Sequence, residues 1–222
     1  MHYGIPEEKI KVLGFPVRSR FFSETQKVLE GKDQRPSLNC LIMSGGEGVG
    51  NMNTIAEHLL DNFDCKVKII AGRNQKLKAK LEESLIGKYG DKVQIYGFTN
   101  KIHELMLEAD IAFTRGSPNV MYEAVAANTP LVITGALPGQ EEDNPLFAER
   151  ANLGVICRDV HDISSIIGEL LANNYEKLNM IKQSQREFIN GDAAEDILTF
   201  LLHTRVSDKK EEVDLKVVNS FN

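Results

Sequence analysis

The chain is poor in the residues that build metal and redox centres. Its 222 residues include three cysteines, Cys40, Cys65 and Cys157, scattered with no Cys-x-x-Cys pair, and two of them lie in or beside apolar runs. That pattern reads as core or surface thiols in a reducing cytoplasm, not as a disulfide framework. The five histidines show no His-Glu-x-x-His or other ligand spacing, so no zinc site is expected. Positive charge is also short. Lys and Arg number 26 against 32 Asp and Glu, a formal net charge of -6, whereas nonspecific nucleic-acid binding needs a basic surface. No nucleic-acid partner is expected. No apolar run approaches the roughly 18 residues of a membrane span, nor does any stretch read as a signal peptide. Contact with a membrane would be made from its surface.

What the chain does have is a regular alternation of strand and helix patterns. Leu38 to Met43 is a continuous apolar run of strand length, followed by the glycine-rich loop Ser44 to Asn51 and a helix whose Ile55, Ala56, Leu59, Leu60 and Phe63 keep the helical period. Lys66 to Ala71 is the next strand, Asn74 to Ile86 a charged helix, Val93 to Tyr96 a third strand and Ile102 to Leu107 a short helix. Further on, Leu146 to Ala151 reads as helix and Gly154 to Cys157 as strand. Ile163 to Leu171, Tyr175 to Phe188 and Ala193 to Leu202 read as helices. Alternation with short connections predicts an α/β fold, a Rossmann-like parallel sheet with helices on both faces. Residues 1–22 contain one short strand pattern, Ile10 to Leu13, then Gly14 and Pro16, and are expected to be a connector leading in from an upstream domain. Residues 23–204 form the expected domain, and 205–222 are charged and patternless, expected to be a frayed tail.

The centre of this pattern is Ala109 to Asn144. A short apolar run, Ile111 to Phe113, ends in the turn Gly116-Ser117-Pro118-Asn119. A helix carrying Glu123 follows, then a strand at Leu131 to Thr134 and a polar loop. That layout puts a helix N-terminus and two loops at the carboxyl edge of a parallel sheet, where ligands bind.

The loop after Met43 fits neither of the familiar phosphate-binding patterns. Gly45 and Gly50 have the spacing of a nucleotide triphosphate loop, but Asn51 and Met52 stand where its lysine and metal-binding hydroxyl belong. A dinucleotide fingerprint counted from Gly46 and Gly48 puts Asn51 in the third glycine position, and Gly72-Arg73 closes the second strand where an acidic residue is needed. Two readings stay open. The glycines serve a tight turn only, or they let backbone N–H groups at a helix N-terminus approach an anion. The Gly116 to Asn119 turn has the same geometry one strand pair further on. Two such turns together could hold a diphosphate between helix dipoles without a lysine or a metal. Glu123 would then lie where its carboxylate can accept hydrogen bonds from both hydroxyls of a ribose. The loop Pro138 to Asn144, with Gln140 and Glu141, suits sugar hydroxyls.

Several segments resemble a known family. VLGFPVR (Val12 to Arg18), AGRN (Ala71 to Asn74), YGFTNKIHELMLEAD (Tyr96 to Asp110), the Arg-Gly-Ser-Pro-Asn…Glu-Ala turn and LPGQEEDN (Leu137 to Asn144) look like the C-terminal half of the monogalactosyldiacylglycerol synthase and processive diacylglycerol glucosyltransferase family. This family is related to the bacterial enzyme that adds N-acetylglucosamine to lipid I. The resemblance covers most of residues 10–203. It implies one half of a glycosyltransferase B fold, the half that binds the UDP-sugar, with the lipid acceptor and the catalytic base supplied by an N-terminal domain. It also implies a cytoplasmic protein peripheral to the membrane, with UDP-sugar as substrate and no cofactor. By resemblance Glu123 holds the ribose, Gln140 and Glu141 face the donor sugar, and the segment of Phe98 and Thr99 reads the uracil through its backbone. Arg73 lies in a second matching segment. The turns at Gly45-Gly46 and Ser117-Pro118-Asn119 match the diphosphate loops, although the family usually has glycine where this chain has Ser117 or Asn119. A UDP-N-acetylglucosamine 2-epimerase and a non-catalytic nucleotide-binding module are the alternatives.

Overall fold

A computed structural model of the chain describes residues 5–22, 37–43 and 51–207. The apolar run predicted first forms β1, Leu38–Met43. Five more strands follow: β2 Cys65–Ile70, β3 Val93–Tyr96, β4 Ile111–Thr114, β5 Leu131–Ile133 and β6 Gly154–Ile156. All neighbouring strands pair in parallel, in the order β3-β2-β1-β4-β5-β6. Parallel neighbours need crossovers, and the crossover helices are α1 Met52–Asn62, α2 Gln75–Tyr89, α3 Ile102–Glu108, α4 Pro118–Ala126 and α5 Asn144–Arg150. The strand order reverses between β1 and β4, so the crevice outside their carboxyl ends is the place this architecture offers a ligand.

Side-chain alternation along the strands divides the core between two faces. Cys40, Ile42, Val67, Ile69, Ile111, Phe113 and Val132 face α1, α2 and the later helix α6, Ile163–Phe188. Leu41, Met43, Ile70, Ala112, Leu131 and Ile133 face the other way, onto α3, α4, Ala148 of α5 and Phe21. Burial on both faces is why these strands read as apolar runs. Cys40, Cys65 and Cys157 are all buried and free, so they are core thiols.

Helix α6 is interrupted. Ala172 is extended and Asn173, Asn174 and Tyr175 take left-handed backbone angles, with φ of 50°, 55° and 63°, which asparagine tolerates better than most residues. The two helices expected over this region are thus separated by that break.

The chain divides into two units, Val17–Ile189 and a smaller one of Met1–Pro16 with Asn190–Asn222. In the smaller unit, α7 runs Ala193–Ser207, beyond the end expected for it, and the remaining residues of the expected tail lie outside the described ones. The strand expected at Ile10 to Leu13 is absent. Ile10 and Val12 are 45% and 92% exposed, and an alternating stretch that pairs with no sheet has nothing to satisfy its backbone or bury its apolar side chains. The carbonyl of Leu13 instead accepts a hydrogen bond from Asn190 Nδ2 at 3.0 Å.

Candidate functional site

The end of β4 sets the first part of the site. Thr114 is followed by Arg115, Gly116 and Ser117, and Pro118 opens α4 at the position where its missing N–H costs nothing and its φ suits a helix. The backbone of Ser117 is extended and its hydroxyl does not cap the helix. Asn119, two residues on, is exposed. Glu123 lies in the second turn of α4, half-buried, and its Oε1 accepts a hydrogen bond from the Arg18 guanidinium at 2.5 Å. The same guanidinium lies over the ring of the fully buried Phe21, 5.3 Å from its centroid. Arg18 is therefore held between a carboxylate and an aromatic face. Beside Glu123, burial raises the phenol pKa of Tyr122, whose ring packs against Phe188.

The loop after β5 forms the second part. It runs alongside the β4–α4 turn and is tied to it at several points. The Thr134 and Gly116 amides donate to Thr114 O at 2.9 Å and Gly135 O at 2.8 Å, extending the ladder beyond the strands. Asn144 Nδ2 donates to Gly116 O at 2.8 Å. Gly116 also sits so close to α5 that a Cβ there would stand 3.1 Å from Pro145 Cδ, which is a packing reason for glycine in the turn. Within the loop, the Glu141 carboxylate is buried, with its residue 6% exposed. Its Oε2 accepts from Arg115 Nε at 2.8 Å and from the Leu137 amide at 2.9 Å, and its Oε1 lies 3.4 Å from an Arg115 terminal nitrogen. Gln140 and Gly139 are exposed at the apex, Gly139 with φ of 77°, a left-handed angle that favours glycine.

A third group sits at the carboxyl ends of β2 and β3. Arg73 lies over the ring of Phe98, 5.1 Å from its centroid, and Phe98 is 62% exposed. Thr99 Oγ1 accepts from the Lys101 amide at 3.1 Å, and Asn74 caps α2 by accepting from the Leu77 amide at 2.9 Å. Gly45 and Gly46 belong to the loop after β1 and lie outside the described residues.

The structure thus brings Ser117 of the β4–α4 turn, Pro118, Asn119 and Glu123 of α4, and Gln140 and Glu141 of the adjoining loop to one edge of the sheet, and pairs Arg73 with Phe98 two strands away. Sequence reasoning gave no role to Arg18 or Arg115. Each stood inside a segment that carried the family resemblance, which was the available signal, but a pairing across 105 or 26 positions leaves no local trace. Among the described residues, no three His, Cys, Asp or Glu side chains gather as a metal site, and no helix is long and apolar enough to cross a membrane.

Comparison with known proteins agrees with the resemblance in the sequence. The chain is 29% identical over 219 residues to a processive diacylglycerol beta-glucosyltransferase of Bacillus licheniformis, covering 96% of this chain and 57% of that protein. It is 31% identical over 195 residues to monogalactosyldiacylglycerol synthase 1, chloroplastic, of Arabidopsis thaliana, covering 82% of this chain and 36% of that one. It therefore spans only part of each relative's length. Among solved structures, UDP-GlcNAc 2-epimerase from Neisseria meningitidis bound to UDP-GlcNAc superimposes with a TM-score of 0.67 at 17% identity, over 91% of this chain and 57% of that one. MurG of Acinetobacter baumannii gives 0.65 at 16%, over 81% and 52%. These likenesses show the fold, the Rossmann-like half of a glycosyltransferase B arrangement. The sequence model described as Glycosyl transferases group 1 matches residues 49–173, more than half of the chain and nearly all of the sheet and crossovers just described, and the chain belongs to that family.

Proposed function

We propose that this chain is the donor-binding half of an inverting glycosyltransferase that moves a hexose from a UDP-sugar to the hydroxyl of a lipid acceptor such as diacylglycerol. The observation that carries the reading is the position of Glu123. It projects from the helix that Ser117-Pro118 starts, at the point of the sheet where strand order reverses, in a chain similar to glycolipid-forming enzymes over most of its length. In this reading the Gly45-Gly46 loop and the start of α4 at Ser117-Pro118-Asn119 take the diphosphate on helix dipoles and backbone N–H groups, at α4 those of the first turn after Pro118, since proline has none and the Ser117 amide donates to Arg115 O. Glu123 accepts the ribose hydroxyls, and the loop of Gln140 and Glu141 faces the sugar. Arg73 and Phe98 lie beside the Thr99 segment that reads the uracil. From β3 to β4 is three strand spacings, about 14 Å, a distance that an extended nucleotide can span.

As the bond to the sugar breaks, charge develops on the leaving diphosphate. Helix N-termini aimed at it stabilise that charge without reorganising, so the proposed chemistry uses no cofactor and no resident metal. The acceptor and the catalytic base come from an N-terminal domain that works at the membrane surface of the cytoplasm. Without that domain the near-attack geometry is not built, and residues 1–222 alone bind donor and transfer nothing.

The test joins this chain to the N-terminal half of the Bacillus licheniformis relative and supplies diacylglycerol vesicles with UDP-glucose or UDP-galactose. Glycolipid is expected from the joined chain and none from residues 1–222. Transfer by residues 1–222 alone would contradict the division of labour. Conversion of UDP-N-acetylglucosamine to its 2-epimer, with no glycolipid formed, would favour the epimerase reading that shares this fold.

A further inference from the structure

We infer that Arg115 is the positioning residue that sets the Leu137-to-Glu141 loop against the donor sugar, and that Glu141 serves the site by receiving Arg115. The inference rests on the donor-binding reading above and adds to it a residue that touches neither nucleotide nor sugar. Its basis is the way the loop is closed. The Glu141 amide donates to Leu137 O at 2.9 Å, while the Leu137 amide donates to the Glu141 carboxylate at 2.9 Å, so the two ends of the loop hold each other. The Arg115 guanidinium then takes the same carboxylate from the side of β4. Because Arg115 directly follows a strand that is buried throughout, its backbone is fixed, and it transfers that fixed position to a loop that is otherwise exposed. The exposed apex, Gly139 and Gln140, is what the clamp orients.

Charge explains why the clamp needs arginine. A buried carboxylate keeps its charge only while its partners stay in place. Without Arg115 the buried Glu141 carboxylate would lose its counter-charge and turn out to water, and turning out abandons the Leu137 amide. The bond from Asn144 to Gly116 O and the ladder bond from Gly116 to Gly135 O do not involve Arg115, so they hold the two ends of the wider segment. The disturbance stays within residues 137–141, where the sugar is placed, and does not reach the helix that carries Glu123. A lysine could reach the carboxylate with one point contact but cannot supply the two-nitrogen fork.

The test is calorimetric titration of the parent chain and its variants with UDP, UDP-glucose and UDP-galactose, read as the ratio of UDP-hexose affinity to UDP affinity, with a melting curve for each. The parent is expected to bind one UDP-hexose more tightly than UDP. Arg115→Ala is expected to lose about tenfold or more of that affinity while UDP affinity stays within about twofold. Arg115→Lys recovers part of the loss. Arg115→Ala with Glu141→Gln recovers more than Arg115→Ala alone, since a neutral amide oxygen still accepts from Leu137 without a buried charge. If Arg115→Ala does not fold, the ratio for Arg115→Lys, expected to fall between parent and zero discrimination, decides the matter in its place. Loss of UDP and UDP-hexose affinity by the same factor, or no loss of either, would overturn the inference and leave the donor reading standing. So would a parent that binds UDP and both sugars alike. A parent that binds no uridine nucleotide would overturn both.

Discussion

The Arg18 guanidinium stands 2.5 Å from the Glu123 carboxylate, so the group proposed to hold a ribose is already oriented by a cation brought from 105 positions away. Glu123 is 18% exposed in its side chain and Arg18 52%. An ion pair this open to water contributes about 1 kcal/mol or less to stability. Its value to the site is orientation.

That difference makes Glu123→Ala informative. The substitution is expected to leave the melting temperature close to that of the parent, because no buried group loses its only partner. UDP affinity should fall by about 10- to 150-fold, the equivalent of about 1.5 to 3 kcal/mol for a carboxylate accepting hydroxyl hydrogen bonds in a partly dry cleft, while uracil binding changes far less. A variant that melts like the parent and binds UDP within twofold of it would remove Glu123 from the site.

Removing divalent cations should leave UDP binding intact. The proposed phosphate ligands are backbone N–H groups of the Gly45-Gly46 loop and of the first turn of α4 after Pro118, which need no bridging ion. Titration with and without EDTA checks this, and an affinity loss of tenfold or more in chelator would show that a cation bridges the diphosphate.

The Cys157 thiol should be inert. Burial together with Asp162 and Asp159 pushes Cys157 up to about 11, and the thiolate is the reactive form. At pH 8 only about one Cys157 in a thousand is then ionised, against about one in four for an unperturbed thiol. Alkylation followed by mass spectrometry should find Cys157 unmodified in the folded chain at pH 8, with labelling rising as pH climbs towards 11. Rapid labelling at pH 8 without loss of fold would contradict its placement.

The parallel sheet was legible because β1, β4 and β5 are buried on both faces, and such strands have to be written as unbroken apolar runs. The Ser117-Pro118 turn was legible because proline at the start of α4 is favoured locally, whereas Gly116 answers to its packing against Pro145 of α5. Direction was harder to read. Glu141 sits in a polar loop and was expected to face a sugar, yet its carboxylate lies buried on Arg115 and the Leu137 amide. A charged residue beside Gly and Pro gives no sign of which way it turns. Nor does alternation alone make a strand. Ile10 and Val12 had the pattern, and without a neighbouring strand they remain exposed. The roles of Arg18 and Arg115 depend on partners that only the folded chain brings near.

The central claim is that the carboxyl edge of this sheet recognises a uridine diphosphate nucleotide. Calorimetric titration of residues 1–222 with UDP, ADP, GDP and CDP tests it most directly. The account predicts saturable binding of UDP at one site per chain, with at least tenfold preference over the other three, a difference of about 1.4 kcal/mol. Equal binding of all four nucleotides, or none of UDP, would contradict it.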